Sequence, residues 1–309
     1  VDQTATMSQV ELLRFIAMLA LSWFVGLAGL CSAGLRAYAW KTKRPLSPLV
    51  RRTTSVFLGA ATVLAGCLVF GTQFEPDWLQ TTYQEVRTSA LLSGTRLRIV
   101  QLSDLHVRGM TSLLEALPSR VNGLAPDVIV VTGDMAGSPD GLPALRETMR
   151  ALHASEGIYA VKGNHDLAGW VPRNLFEGLA TELNGQPISL RGGRLSLCGA
   201  GYDAGKRVAS CLEQAPESGR IVAFHTPDLV EDLQRYKPIL YMAGHTHGGQ
   251  VRLPFYGALV TFSKFDKKYE MGRYTVGDTA LYVNRGIGGT RLRFLCRPEI
   301  TVIDVIGTG

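Results

Sequence analysis

Two apolar runs stand out near the start of the chain. Phe15 to Leu35 (FIAMLALSWFVGLAGLCSAGL) and Thr53 to Phe74 (TTSVFLGAATVLAGCLVFGTQF) continue for 21 and 22 positions without a charge. Each matches the roughly 20 residues that a bilayer-spanning helix requires. The pattern therefore predicts two transmembrane helices, at about 15–35 and 53–74, within an anchor region over 1–74. Two buried core helices are the alternative, but the rest of the chain already reads as a complete domain.

Glu75 to Thr95 is mixed and polar, and is read as a linker. From residue 96 to residue 309 the rhythm changes: short β-branched runs that end in polar residues alternate with helical periodicity. Strands are expected at RIVQLSD (98–104), VIVVTGD (128–134), IYAVKGNHD (158–166), RLSLCGAGYD (194–203), RIVAFH (220–225) and ILYMAGHTH (239–247). ALYVNRGIGG and RPEITVIDV add terminal strands. One expected helix opens with Ser112 and Glu115 at capping-box spacing. A second carries Leu142, Leu145, Met149 and Leu152 at helical spacing. A third starts at Pro172 with Leu175, Phe176, Leu179 and Leu183 on one face. Strands alternating with helices imply a layered α/β domain. There is no internal repeat and no low-complexity tract.

Charge gives the anchor an orientation. Between the apolar runs, Arg36, Lys41, Lys43, Arg44, Arg51 and Arg52 are accompanied by no acid, and residues 1–10 hold no Lys or Arg. Short loops rich in Lys and Arg stay cytoplasmic, which puts both ends of the anchor, and the domain after it, outside the cytoplasm. Trp78 and Tyr83 are then expected near the outer interface. A twin-arginine-like signal in RRTTSVFLGAATVLAG gives the same side, although the gap between the arginine pair and FL is irregular. Much of the net charge of +6 is thus a topology signal, and nucleic-acid binding is not expected. Apolar content of 46% agrees with a membrane segment. The five cysteines (Cys31, Cys67, Cys198, Cys211, Cys296) are scattered and odd in number. They suggest neither a disulfide framework nor a zinc-thiolate site, and read as small hydrophobes.

The polar residues that end the strands share one chemistry. They are Asp104 and His106, Asp134, Asn164-His165-Asp166, His225, and His245 with His247. Five of the six histidines fall there; the sixth, His153, is expected on the solvated side of a helix. Ligands of α/β sheets bind at the carboxyl ends of strands. Residues two apart on a strand also point the same way, so Asp104 with His106, and His245 with His247, can converge. Asp, Asn and His without Cys suit manganese, iron or zinc. Seven or eight such groups exceed one ion's needs and fit two. Two ions about 3.5–4 Å apart are the arrangement used for in-line displacement at phosphorus, where they acidify a bridging water.

The ordered set D-x-H, G-D, G-N-H-D, H, G-H-x-H resembles the calcineurin-like metallophosphoesterases over roughly residues 96–306. The resemblance implies a layered β-sandwich flanked by helices and a two-metal hydrolase of phosphoesters. One divalent ion would take Asp104, His106, Asp134 and His247; the other would take Asp134, Asn164, His225 and His245. His165 would be the catalytic histidine and Asp166 its orienting carboxylate. HTHGGQVRLP and LYVNRGIGGTRLRFLCRPEI narrow the resemblance to a membrane-associated bacterial branch. That branch holds secreted or anchored phosphoesterases and a membrane-bound UDP-2,3-diacylglucosamine pyrophosphatase of lipid A synthesis. It implies an enzyme at the bacterial inner membrane acting on a phosphodiester or lipid-linked phosphate. The UDP-lipid pyrophosphatase reading implies a cytosolic face instead. A non-catalytic metal-dependent binding module is the alternative of another class. Arg108 stands where glycine is commoner in the branch; like Arg285 and Arg291, it is either a phosphate contact or a surface cation.

Overall fold

The computed structural model describes residues 7–309; the first six residues of the expected anchor region lie outside the described residues. Helix α1 (Gln9–Thr42) opens on a capping box, with Ser8 and Glu11 each accepting the other's backbone N–H. It ends where Lys43 turns left-handed, and α2 (Pro48–Val69) returns beside it from a Ser47 cap. Both helices are long and apolar enough to cross a membrane. They meet through small residues: a side chain on buried Gly29 would overlap the Cβ of Ala61. The Phe24 and Phe57 rings meet edge-on at 5.9 Å. Arg36 crosses to the Thr54 hydroxyl at 2.9 Å and to the Arg51 carbonyl at 2.8 Å.

The domain follows as β1 (Gln80–Thr88), β2 (Arg96–Leu102), α3 (Ser112–Asn122), β3 (Val128–Val131), α4 (Leu142–Arg150), β4 (Ile158–Ala160) and β5 (Thr181–Glu182). Then come β6 (Ile188–Leu190), β7 (Leu195–Gly199), α5 (Lys206–Gln214), β8 (Arg220–Ala223) and β9 (Leu240–Ala243). The chain finishes with the short hairpin β10 (Arg252–Leu253) and β11 (Gly257–Ala258), then β12 (Gly272–Val276), β13 (Thr279–Val283) and β14 (Glu299–Gly307).

Two six-stranded sheets result, in the orders β1-β14-β2-β3-β4-β5 and β12-β13-β9-β8-β7-β6. Their facing sides form one core, in which Leu97, Ile99, Val128 and Val130 meet Leu197, Ile221, Leu240 and Met242. The alternate residues Val100, Leu102, Ile129 and Val131 pack outward on Leu117 and Val121 of α3 and Leu145 and Met149 of α4. Strands covered on both faces show as continuous apolar runs, which is why β2 and β3 were legible. The architecture is a mixed α/β sandwich of sheets flanked by helices. In each sheet, parallel neighbours send their carboxyl ends to one edge.

Four expectations change. The stretch 75–95 is not merely a linker, because β1 pairs in parallel with β14 along its whole length. An edge strand with one wet face keeps a polar composition, which hides it. The helix expected from Pro172 is absent: Phe176 is buried as its spacing required, but Gly178 at φ +68° turns the chain. His153 lies beyond the end of α4 in a loop, exposed. Finally, Cys198 on β7 and Cys211 on α5 form a disulfide. Their separation of 13 residues carries no motif, and the strand–helix packing brings them together.

Candidate metal centre

Every expected ligand sits at the carboxyl end of a strand or in the turn that follows. Asp104 and His106 follow β2, Asp134 follows β3, Asn164 and His165 follow β4, His225 follows β8, and His245 and His247 follow β9. Five of them, Asp104, His106, Asp134, His245 and His247, have φ between +43° and +70°. Non-glycine residues rarely adopt this left-handed conformation, and it clusters at functional sites. The turns hold it because it aims several side chains at one point. Gly163 serves the same convergence, since a side chain there would overlap the Asp134 carboxylate.

The donor atoms gather in two overlapping groups. In one, His247 Nε2 lies 3.5 Å from Asp104 Oδ1 and 3.2 Å from His106 Nε2, which is 3.6 Å from Asp134 Oδ2. In the other, His225 Nε2 lies 3.4 Å from Asp134 Oδ2, 3.0 Å from Asn164 Oδ1 and 3.1 Å from His245 Nδ1. Asp134 belongs to both. The second nitrogen of three of these rings is occupied elsewhere. His225 Nδ1 meets the Thr132 carbonyl at 2.8 Å, and His245 Nε2 meets the Phe262 carbonyl at 3.2 Å. His247 Nδ1 is 3.4 Å from Gln250 Nε2. Such outer contacts set which nitrogen faces a metal.

These residues fit divalent cations on their own evidence. Asp104 Oδ1 is buried without a hydrogen-bond partner, facing an imidazole nitrogen. Burial pushes His106 down to about 4 and His245 to about 3, and lowers His247 strongly. All three are thus neutral imidazoles, the ligating form. Burial also opposes charge on Asp134, yet His225, His106 and His165 outweigh it and hold the carboxyl low. His225 is the reverse case: burial disfavours its cation, but Asp134 and Asp104 raise it to about 9. A proton held there by two carboxylates is one that a metal ion displaces. Asp104 itself is raised to about 7, by burial first and by Asp134 after it.

His165 stands at the mouth, exposed, its ring edge-on to His106 at 4.7 Å. Its backbone N–H donates to Asp134 Oδ1 at 2.8 Å. Asp166 does not meet the ring it was expected to orient. Its buried carboxylate accepts the backbone N–H groups of Met135 (2.9 Å), Ala136 (3.0 Å) and Gly163 (3.1 Å). The 3₁₀ turn His165–Leu167 directs it back into the protein. Arg108 lines a 220 Å³ cavity with His106, His165 and His247, while a larger one of 1010 Å³ begins at Asn164 and runs past Tyr202 and Lys206. Arg285 is engaged by Glu299 at 3.0 Å and Arg291 by Asp77 at 3.1 Å, both as structural ion pairs. Sequence reasoning missed the Thr132 and Phe262 carbonyls, because a backbone acceptor leaves no mark on residue type. Gln250 was visible in GHTHGGQ but carried no spacing signal.

Residues 97–249 match the calcineurin-like phosphoesterase family. The chain is 36% identical over 257 residues to the Bacillus subtilis protein named uncharacterized metallophosphoesterase YkuE, covering 76% of this chain and 88% of that one. It is 26% identical over 303 residues to the UDP-2,3-diacylglucosamine pyrophosphatase LpxG of Chlamydia trachomatis, covering 76% and 92%. To the phosphodiesterase YaeI of Escherichia coli it is 28% identical over 223 residues, covering 68% and 82%.

Proposed function

We propose, for a chain that belongs to the calcineurin-like phosphoesterase family, a membrane-anchored two-metal hydrolase of phosphodiester or lipid-linked phosphate substrates. The observation that carries it is a double cluster of donor atoms around Asp134: those of Asp104, His106 and His247 lie within 4.8 Å of one another, and so do those of Asp134, His225 and His245. Asp104, His106, Asp134 and His247 would hold one manganese, iron or zinc ion. Asp134, Asn164, His225 and His245 would hold the other. Two such ions, when bound, acidify water and neutralise charge on phosphoryl oxygens.

The chain's own side chains supply the rest. His165, at the mouth, hands a proton to the leaving oxygen from its imidazole. Arg108, which lines the same small cavity, binds a phosphoryl oxygen. Asp166 acts on His165 through the backbone, tying the turn after β4 to the turn after β3.

The helix pair supports anchoring at the bacterial inner membrane. The basic loop Arg36–Arg52 supports a cytoplasmic hairpin tip and a periplasmic domain. The Cys198–Cys211 disulfide supports the same side, since such bonds persist in oxidising compartments. Likeness to LpxG favours a second reading, a pyrophosphatase on a UDP-linked lipid, which demands the cytosolic face.

The test is a substrate panel on the full chain in detergent, chelated and then reloaded with manganese. The panel holds an aryl phosphodiester, phospholipids and UDP-2,3-diacylglucosamine. Diester hydrolysis lost on chelation and regained with manganese is expected. Full activity in metal-free protein overturns the two-metal reading, and exclusive cleavage of the UDP-lipid selects the second.

A further inference from the structure

We propose that the hairpin Arg252–Ala258, with the loop running on to Phe262, is a membrane-inserting lip beside the metal centre. Its partner is the interfacial layer of the lipid bilayer. This deepens the anchored reading above and rests on it.

The lip exposes what a soluble surface hides. Phe255 at its tip is wholly exposed, and Leu253, Tyr256 and Phe262 are each more than a third exposed. Phe255 and Phe262 also sit at φ +63° and +55°, a conformation bulky residues avoid. The turn accepts an unfavourable backbone and presents a phenyl ring outward. Contiguous apolar surface of this kind marks an interaction site.

What covers it follows from where it is fastened. Glu11, buried in the first turn of α1, accepts the backbone N–H groups of Thr261 at 2.6 Å and Phe262 at 3.1 Å. One turn on, Arg14 grips Asp266 through two bonds of 2.8 and 3.0 Å, with its guanidinium 6.0 Å from the Tyr256 ring. The uncharged run of α1 starts at the next residue, Phe15. The lip is therefore clamped at the level where this helix enters the bilayer, the depth favoured by aromatic side chains.

The end of α2 joins the same face. Arg293 N donates to the Gly71 carbonyl at 2.8 Å, and Glu75 accepts from Leu295 N and Cys296 N at 2.9 and 2.6 Å. Arg252 N and Phe294 O, at 3.0 Å, link that segment to the lip. Exposed Phe74 and Leu295 extend the apolar surface there. Both helix ends are thus tied to the lip, and Phe262 of the lip also lines the small cavity of the metal centre with His165 and Arg108. A phosphate headgroup reaches His165 and Arg108 from that face while its acyl chains stay in the bilayer.

The experiment places the full chain in vesicles of phosphatidylethanolamine and phosphatidylglycerol and introduces F255W, with Y256W as a second variant. Fluorescence of the parent's own tryptophans is subtracted. The added fluorescence should be blue-shifted, lost with acyl-brominated lipid and insensitive to aqueous iodide. Quenching by iodide and not by brominated lipid, in protein that resists alkaline extraction, overturns the lip and leaves the anchor standing. Extraction of the full chain by alkaline carbonate overturns the anchor as well. Iodide and brominated lipid both failing to quench, with a crosslinked dimer, assigns the surface to a second copy and overturns the proposal. Fluorescence needs no turnover, so loss of activity alone tests the enzymatic reading and not this one.

Discussion

The helical hairpin and the domain it carries use the same apolar residues by opposite rules. In the sheets, Leu97, Ile99, Val128 and Val130 are fully buried between layers. In the hairpin, Leu30 is 72% exposed, Trp23 70% and Val63 66%, while its buried residues are Glu11, Gly29, Ser32 and Thr54. One region hides carbon from water; the other turns carbon outward and hides polar and small groups within. That inversion is expected of helices solvated by lipid, where association rests on close backbone approach and internal hydrogen bonds. The domain's buried aspartates and histidines gather in the strand-end cluster, so substitutions separate the regions by what each loses.

The largest effect lies in that cluster. Asp134→Ala should lose both bound metal and hydrolysis, because Asp134 serves both donor groups; elemental analysis alongside an aryl-diester assay reads this. His165→Ala should keep its metal and lose ~10²–10⁴-fold in turnover, the usual worth of a proton-transfer group. Metal loss in His165→Ala with retention in Asp134→Ala would invert the roles.

In the hairpin the corresponding change is steric. Gly29→Leu drives a side chain into Ala61 and should weaken helix association by ~1–3 kcal/mol, as overpacking does. Detergent-driven separation of the helices measures it, and aryl-diester turnover by the domain should not move. Equal damage to both would show that the two regions fold as one unit.

A smaller effect tests the domain's edge. Arg98 donates two hydrogen bonds of 2.9 Å to Asp304 across β2 and β14, holding that carboxyl below its ordinary range. A depressed folded pKa contributes stability above the unfolded value of ~3.9 and loses it as pH falls through the folded one. Asp304→Asn should therefore cost ~0.5–1 kcal/mol near pH 7 and nothing once acid has protonated the wild-type residue. Denaturant titrations at the two pH values give the difference.

The ligand set was legible because its residue types are rare and end apolar runs, a pattern that composition cannot dilute. The central strands were legible for the reason β1 was not: burial on both faces leaves an unbroken run, and an edge strand does not. Leu175 and Phe176 showed that spacing forecasts burial better than it forecasts helix. Asp166 was assigned to its neighbour in sequence, whereas its partners are the backbone of Gly163 and, some 30 residues away across the sheet, of Met135 and Ala136. The Cys198–Cys211 bond and the Glu11 clamp also depend on packing between distant segments, and neither leaves a spacing signature.

The position of β14 has a consequence for biosynthesis. It lies between β1 and β2, pairing Thr301 with Gln101 on one side and with Thr82 on the other. During translation both partners emerge long before it. The first sheet thus stays split, with two open edges, until β14 itself has left the ribosome. Such long-range pairing closes slowly and leaves unpaired edges liable to aggregation. The apolar helices are made before the domain, so a nascent chain held by them awaits its closing strand at a surface, apart from other unfinished copies in solution.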